Sequence, residues 1–333
     1  MLVVRNNQPT VWGNSLADVV AESVPKAYGI VKPKRRATNF GLLTMVIPGT
    51  IALILFSYLP MAGIIIAFKD INYTKGILGS PWIGFKNFEF FLKTPDAWII
   101  TRNSVLYNVA FIGLGTVASV AVAVALDGLR ARRTSRVYQG VMFLPYFFSW
   151  IVISTLVFSF LSTDLGFINK QLFPVLGIAP INWYIEPVYW PFIIIFTDLW
   201  KYTGYCSVIY LAAISGIDQN CLEAAALDGA SRWQTVMRVM IPLISYVIII
   251  QVLLSIGRLF YSDFGLFYQV PQNMGPLFDA TNVIDTYVYR TLVNVGDIGM
   301  SAAAGLYQSG VGFVLVLVSN LIVRKIDPEK SLF

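Results

Sequence analysis

The side chains that usually carry enzyme chemistry are scarce in this 333-residue chain. It contains no histidine, which removes the commonest general base, metal ligand and pH-sensitive side chain. Its two cysteines, Cys206 and Cys221, are far apart, one in an apolar run and one in a polar loop, so neither a C-x-x-C site nor a disulfide framework is indicated. No G-x-x-x-x-G-K-[ST] phosphate loop occurs, so ATP hydrolysis by that route is not expected on this chain.

The most informative pattern is the polar segment E-A-A-A-L-D-G-A-S-R-W-Q, which begins at Glu223 and lies between two apolar runs. Its first five residues are strong helix formers, and Asp228-Gly229 predicts a helix stop followed by a turn. Ser231 can cap a second helix. The loop, at about 214–241, is therefore predicted to be a rigid helix–turn–helix anchored by a membrane helix at each end. Its alanine-rich face suits a groove on another protein.

Polar and charged side chains inside apolar runs are the candidates for a path across a membrane. Asp198 and Lys201 stand at positions i and i+3 of one predicted helix, so they are expected to pair with each other. Arg258, near the outer end of its run, can extend to the interface or bind a substrate carboxylate. For each such residue two interpretations remain open, a hydrogen bond between helices and a role in transport. The candidates are Asn108, Asp198, Lys201, Tyr210, Gln251 and Arg258.

The composition shows which elements must position these residues. Hydrophobic residues make up 56% of the chain and charged residues only 13%, about half the share in soluble domains. Such a surplus of apolar residues indicates surface in contact with membrane lipid. A spanning helix needs about 20 apolar residues, and the chain offers six such runs. They lie at residues 42–68, 105–126, 140–161, 189–213, 242–261 and 300–323. The predicted fold class is an all-α membrane protein with six transmembrane helices.

The basic residues predict the orientation of these helices. Dense basic clusters lie at 32–36 and 130–136, and basic residues near span ends favour the cytoplasmic side, so both termini are expected in the cytoplasm. The net charge of +6 is explained by this pattern and not by binding to nucleic acid. Residues 1–39 are expected to be a cytoplasmic N-terminal extension, and residues 40–333 the six-helix domain. The aromatic segments 80–98 and 182–190 are expected to lie on the outer face at headgroup level.

The loop resembles the EAA loop of binding-protein-dependent ABC importer permeases, whose pattern is E-A-A-x-x-D-G-A followed by a spacer and an apolar-Pro ending. Matching residues are Glu223, Ala224, Ala225, Asp228, Gly229, Ala230 and Pro242. Val236 and Ile241 stand where the family more often has Phe and Leu, which is a conservative departure. The likeness extends over residues 40–333 and is to the carbohydrate-uptake branch of type I importers. That branch includes permeases for oligo- and polysaccharides, among them the alginate importer.

The resemblance implies a function and a set of partners. The residues implied in coupling to an ATPase subunit are Glu223, Ala224, Ala225, Asp228, Gly229, Ala230 and Arg232. The implied assembly in the bacterial inner membrane holds a second homologous permease, forming a heterodimer, and two ATP-binding subunits. An extracytoplasmic solute-binding protein would deliver the carbohydrate. No cofactor is implied on this chain, because ATP and Mg belong to the partner subunits. The implied mechanism is alternating access, with no enzyme activity on the permease.

Two other classes stay open on the residues alone. A secondary transporter or channel would need no ATPase, and predicts proton-relay carboxylates or inverted repeats with broken helices. An intramembrane enzyme would need an acid–base pair in the spans. The charges inside the apolar runs bear on the kind of cargo. If Asp198 neutralises Lys201, then Arg258 is left as an unpaired cation. The hypothesis is that an acidic oligosaccharide supplies its partner.

Overall fold

The computed structural model describes residues 40–89, 94–129 and 131–327. Within these ranges every regular element is helical, apart from a single antiparallel bridge between Lys69 and Trp82. The chain divides into two units, Met1–Met61 and Ala62–Phe333. The expected N-terminal extension, residues 1–39, lies outside the described residues.

In the first unit the described residues form one apolar helical run. Helix α1, Phe40–Leu53, is followed by a π turn at Ile54–Tyr58 and a short helix at Leu59–Met61. Pro60 has no N–H to donate to the preceding turn, which explains why the regular helical ladder gives way to a π turn just before it. The described side chains from Thr44 to Met61 are exposed, as lipid contact requires.

The second unit contains eight longer helices within the described ranges. They are α2 Pro95–Asp127, α3 Arg132–Phe143, α4 Trp150–Leu161, α5 Trp190–Ser215, α6 Gln219–Leu227, α7 Arg232–Ile256, α8 Ile284–Arg290 and α9 Ile298–Ile326. Helix α7 includes a π turn at Val236–Met240. Shorter helical turns lie at Ala62–Phe68, Gly76–Gly79, Lys86–Phe88, Leu144–Phe147, Ile168–Leu172, Phe173–Leu176, Pro187–Tyr189, Gly265–Gln269, Gly275–Leu277, Phe278–Thr281 and Thr291–Val295.

Four helical runs among the described residues are long and apolar enough to cross a membrane. They are Thr44–Phe68, Asp96–Asp127, Arg232–Ile256 and Ile298–Ile326, which confirms the first, second, fifth and sixth predicted spans. A fifth candidate is broken, because Arg133–Phe147 and Trp150–Leu161 meet at an angle of 97°. The predicted third span at 140–161 therefore lies across a bent pair of helices.

The break in the third span follows from the local sequence. Pro145 cannot donate a backbone hydrogen bond, and Leu144–Phe147 tightens into a 3₁₀ turn. Phe148 and Ser149 are extended, with ψ of 133° and 155°. The Ser149 hydroxyl accepts a hydrogen bond from the backbone N–H of Val152 at 3.3 Å, so it caps the start of α4. We call residues 144–149 the break.

Helix α5 has 26 residues, about 39 Å, so it is long enough to span a membrane but more polar than the other spans. Its buried side chains form one stripe, and several of them are polar, because this helix packs mainly against protein. The stripe consists of Trp190, Ile194, Thr197, Lys201, Gly204, Ser207, Tyr210 and Ile214. α5 packs along α2 and crosses α3. The α3 crossing requires Gly204, where a Cβ would lie 1.9 Å from the carbonyl oxygen of Met142.

Two segments that connect the longer helices bury apolar side chains in the core. In segment 182–190, Tyr184 and Trp190 are buried against the core, whereas Ile185 and Val188 are exposed, and its location on the outer face stays a prediction. In segment 262–297, Leu266, Val270 and Leu277 are fully buried in the same cluster. These residues close one end of the helix bundle around the site described next.

Candidate functional site

The turn of the 214–241 loop is closed by backbone hydrogen bonds that fix its shape. The N–H of Gly229 donates to the Ala226 carbonyl at 3.1 Å, and the N–H of Ala230 donates to the Ala225 carbonyl at 3.0 Å. This pair of bonds is the Schellman arrangement that ends a helix with a left-handed residue. Gly229 has φ of +76°, which glycine adopts without steric cost. The predicted stop at Asp228-Gly229 is confirmed.

Both helices of the loop begin with a side-chain cap. The Asp218 carboxylate accepts a hydrogen bond from the backbone N–H of Asn220 at 3.0 Å at the start of α6. Ser231 and Gln234 form a reciprocal capping box at the start of α7, which confirms the predicted role of Ser231. Helix α7 then continues without interruption into the fifth span. Any movement of the loop is therefore passed directly to a membrane helix.

The loop exposes an apolar surface that the described chain does not cover. Leu227 is 90% exposed and Trp233 is 71% exposed, and the neighbouring Glu223 and Ala224 are also exposed. Large apolar side chains exposed together on a short rigid element indicate a contact with another protein. Of the predicted coupling residues, Ala225 and Ala230 are half-buried because they form the turn.

Arg232 has a second contact, with the end of α2. A Cβ placed on Gly128 would lie 1.4 Å from Nη2 of Arg232, so the guanidinium occupies the space that a larger residue would fill. A cavity of about 310 Å³ beside it is lined by residues of α2, α6 and α7, among them Asp127 and Ala226. The loop therefore contacts α2 as well as the two membrane helices that it connects.

A larger cavity of about 500 Å³ lies between α2, α5 and α7 and the segment that follows α7. Five of the six predicted path residues line it: Asn108, Asp198, Tyr210, Gln251 and Arg258. Lys201 does not line it. The structure thus brings together residues that are dispersed over three helices and the segment after α7.

The wall of this cavity carries polar groups that the chain leaves without partners. The hydroxyls of Ser119 and Ser262 are buried, and neither has a hydrogen-bond partner among the described residues. Over the same residues, the Asp198 carboxylate and the exposed Arg258 guanidinium make no hydrogen bond or ion pair within the chain. Buried polar groups without partners are costly. A hydrophilic occupant that supplies hydroxyls would satisfy them.

The expected pair between Asp198 and Lys201 does not form in the described part of the chain. The Lys201 ammonium donates instead to the backbone carbonyls of Tyr146 at 3.1 Å and Phe148 at 2.5 Å. The spacing along one helix allowed the pair, but the Lys201 ammonium instead binds the carbonyls at the break, so the expected pair was wrong. Lys201 therefore lies behind the cavity wall.

Asp263 is a functional candidate that the sequence reasoning missed. Its carboxylate lines the cavity and accepts hydrogen bonds from the Tyr202 hydroxyl and the Trp150 indole N–H, both at 2.9 Å. The other oxygen accepts from the backbone N–H of Gly265 at 2.9 Å. Its position directly after an apolar run made it look like an ordinary loop acid.

The chain is a helical membrane protein with a polar cavity among its spans. It also has a rigid loop whose exposed apolar face suits contact with another protein. These features are typical of a transport subunit whose motor lies on a separate chain. The chain belongs to the family described as binding-protein-dependent transport system inner membrane component, which matches residues 115–329. It is therefore a multi-pass inner-membrane component of an ABC importer and not an enzyme, as the EAA resemblance predicted. The secondary transporter, channel and intramembrane enzyme are set aside.

Similar proteins cover nearly the whole length of the chain. Protein LplB of Bacillus subtilis (strain 168) is 31% identical over 288 residues, which are 86% of this chain and 90% of LplB. The polygalacturonan/rhamnogalacturonan transport system permease protein YteP of the same organism is 31% identical over 293 residues, 86% of this chain and 89% of YteP.

Solved structures confirm the predicted fold class. A chain of a bacterial ABC transporter involved in the import of the acidic polysaccharide alginate superposes with a TM-score of 0.79 at 27% identity, covering 86% of this chain and 96% of that chain. A bacterial alginate ABC transporter in complex with an alginate pentasaccharide-bound periplasmic protein gives a TM-score of 0.78 at 26% identity, with coverage of 86% and 95%. The chain therefore has the type I importer permease fold.

Proposed function

We propose that this chain is the permease subunit of a carbohydrate importer and that its cargo passes through the cavity between α2, α5 and α7. The observation that carries the proposal is the set of polar groups without partners in the cavity wall, above all the buried hydroxyls of Ser119 and Ser262. Sugars offer hydroxyls that both donate and accept hydrogen bonds. The printed descriptions of YteP and of the alginate transporter support a saccharide cargo.

The importer would work by alternating access with motors on other chains. ATP and Mg would be held by two ATP-binding subunits, and the 214–241 loop would dock on one of them through the exposed faces of Leu227 and Trp233. The residues proposed for this coupling are Glu223, Ala224, Ala225, Asp228, Gly229, Ala230 and Arg232. Because α7 runs from Arg232 into the fifth span, a pull on the loop would tilt a wall of the cavity.

A second, homologous permease would complete the pathway, and a heterodimer is proposed. A solute-binding protein on the opposite side from the loop would deliver the sugar, in line with the binding-protein complex of the similar alginate transporter. In this arrangement both termini lie in the cytoplasm. Segment 262–297, which closes one end of the bundle, would then lie toward the side of delivery.

An acidic oligosaccharide is the proposed cargo class. Arg258 lines the cavity, is exposed, and forms no ion pair within the described residues, so its guanidinium is available to a carboxylate. The similar proteins support this, because alginate is described as an acidic polysaccharide. Two carboxylates, Asp198 and Asp263, line the same cavity, so a uronate would be held at the Arg258 end.

Replacing unpartnered hydroxyls tests whether sugar binds in the cavity. Ser119→Ala should lower the apparent affinity of the reconstituted complex for oligosaccharide by roughly two- to tenfold, since a neutral hydrogen bond contributes about 0.5–1.5 kcal/mol. The measurement is uptake into proteoliposomes as a function of sugar concentration.

The matched control is Ser207→Ala on α5. Ser207 is as buried as Ser119, but its hydroxyl donates to the Gly204 carbonyl at 2.7 Å, and it does not line the cavity. Its loss should leave the apparent affinity unchanged. If both variants behave alike, or if Ser119→Ala has no effect, the cavity is not where the sugar is bound.

A further inference from the structure

The buried lysine of α5 has a position that transport through the cavity does not by itself explain. Lys201 is 6% exposed, and its ammonium donates to the carbonyls of Tyr146 and Phe148 in the break. These carbonyls lie where α3 has ended and no further helical N–H follows. Lys201, which lies on the neighbouring helix α5, thus supplies the missing donors and stabilises the break.

Trp150, the first residue of α4, carries this contact further. The Lys201 ammonium lies 4.9 Å from the centroid of the indole ring, within the range of a cation–π interaction. The ring fills the space over Gly265, where a Cβ would lie 2.0 Å from its Cδ1 atom. On its other edge the indole N–H donates to Oδ2 of Asp263 at 2.9 Å.

Asp263 connects Trp150 to the wall of the cavity. The same oxygen, Oδ2, accepts the hydroxyl of Tyr202 at 2.9 Å, and both Tyr202 and Asp263 line the cavity. The Tyr202 proton is committed to this carboxylate, so the phenolic oxygen is left to accept a hydrogen bond from an occupant of the cavity. Oδ1 is fixed by the backbone N–H of Gly265.

We propose that this chain of contacts, Lys201–Trp150–Asp263–Tyr202, which we call the Lys201 relay, links the angle of the broken third span to the occupancy of the cavity. The proposal rests on the proposed function, because it requires that a cargo with hydroxyl groups enters the cavity. A cargo hydroxyl that donates to Asp263 competes with Trp150 and Tyr202 for one carboxylate oxygen. A bound cargo would therefore favour one arrangement of the break over another. A ligand shifts a conformational equilibrium only when it binds one of the two states better in this way.

In this scheme Lys201 is a positioning residue, because it acts on the break and not on the cargo. The two ends of the relay can be separated by substitution. Trp150→Phe keeps an aromatic ring under the ammonium but removes the indole N–H that donates to Oδ2 of Asp263. Lys201→Met removes the donors to the break and keeps the length of the side chain, whereas Lys201→Arg restores a cation and donors.

The test uses the full complex with its binding protein and ATP-binding subunits in lipid nanodiscs. Spin labels at Val137 of α3 and Val152 of α4, both exposed, report the distance across the break in a background with Cys206→Ser and Cys221→Ser. ATP hydrolysis is measured on the same samples with and without an oligosaccharide that the complex transports.

In the unsubstituted relay, sugar should shift the label distance and stimulate ATP hydrolysis. Trp150→Phe should keep the sugar-free distance but lose the shift, with stimulation reduced about tenfold. Lys201→Met should broaden the sugar-free distance distribution, and Lys201→Arg should narrow it again. Lys170→Met, which removes an exposed lysine outside the spans, is the matched control and should behave as the parent.

The outcomes separate this proposal from the proposed function. If the parent complex shows no stimulation by any saccharide, the carbohydrate function itself fails. If the parent is stimulated and Trp150→Phe keeps both the shift and the stimulation, the relay is overturned. A stimulated parent whose label distance never changes with sugar also overturns it. Should Lys201→Met fail to assemble, the Trp150→Phe result still decides the question.

Discussion

At the scale of single residues, we propose that cargo selection depends on the few charged groups that face the cavity. Arg258 is the cation among the described lining residues, and Asp198 and Asp263 are the anions. Asp263 is engaged by Trp150 and Tyr202, whereas the Asp198 carboxylate and the Arg258 guanidinium make no hydrogen bond within the described chain. These two side chains differ in the sign of their charge, so the cavity would offer a sugar both a cation and an anion.

Replacing Arg258 tests the acidic cargo. Arg258→Gln removes the charge and the bidentate geometry, and a charge-assisted contact contributes about 1.5–3 kcal/mol. Uptake of an acidic oligosaccharide should therefore fall by roughly tenfold or more, since 1.4 kcal/mol is a factor of ten. The measurement is transport in proteoliposomes with acidic and neutral oligosaccharides of equal length.

Arg258→Lys is the companion variant, because it keeps the charge but not the planar fork, and its loss should be smaller. Uptake of the neutral oligosaccharide is the internal control and should be unchanged in both variants. An equal loss for acidic and neutral sugars, or no loss for either, would leave Arg258 as an interfacial cation without a role in cargo selection.

At the scale of elements, the proposed coupling depends on the rigidity of the turn between α6 and α7. A Cβ on Gly229 would meet no atom within 4 Å, so a substitution there is opposed by backbone conformation and not by collision. The left-handed conformation costs a non-glycine residue about 1–3 kcal/mol, and a β-branched residue is the worst case. The turn can therefore be perturbed without disturbing its surroundings.

Gly229→Val should reopen the Schellman turn and change the direction in which α6 leaves α7. We expect sugar-stimulated ATP hydrolysis in the assembled complex to be lost or uncoupled from transport, while the permease still inserts. Gly229→Asn is the matched control, because asparagine tolerates the left-handed conformation, and it should retain most of the stimulation. Normal stimulation in the valine variant would show that this turn does not couple ATP hydrolysis to the membrane helices.

The comparison of sequence and structure separates local from non-local determinants. The turn at Asp228-Gly229 and the cap at Ser231 were predictable, because hydrogen bonds within a few residues decide them. The break at Pro145 was not, since a proline inside an apolar run is compatible with a mild kink as well as with a bend of 97°. The partners of Lys201 come from another helix, so spacing along its own helix could not reveal them.

The same reasoning applies to the cavity. The length of the apolar runs identified four of the spans and the polar residues on them, and five of six candidates do line one cavity. Asp263 and Tyr202 escaped notice, because their importance depends on a contact between two helices and the segment after α7. The burial of Leu266 and Leu277 likewise follows from tertiary packing and leaves no distinct pattern in the sequence.

At the scale of the whole molecule, the central proposal is the orientation of the second unit in the membrane. The loop between α5 and α7 is proposed to face the cytoplasm, and segment 162–188 the opposite side. The native thiols provide a probe of this, since Cys221 is exposed on α6 and Cys206 lies in the cavity wall. With Cys206→Ser, labelling reports on the loop alone.

In that variant, a membrane-impermeant maleimide should label Cys221 in inside-out vesicles and leave it unlabelled in intact cells, because the reagent reaches only the side to which it is added. Leu165→Cys in a background without the native thiols is the reciprocal control, since Leu165 is 83% exposed in segment 162–188 and should be labelled only from outside. Adding the ATP-binding subunits to the inside-out vesicles should slow labelling of Cys221, which lies on the same short helix as the exposed Leu227. Labelling of Cys221 in intact cells would invert the proposed topology. Unchanged labelling after saturation with ATP-binding subunits would mean that they do not cover α6. The ATP-binding subunits would then have to dock on another surface of the permease.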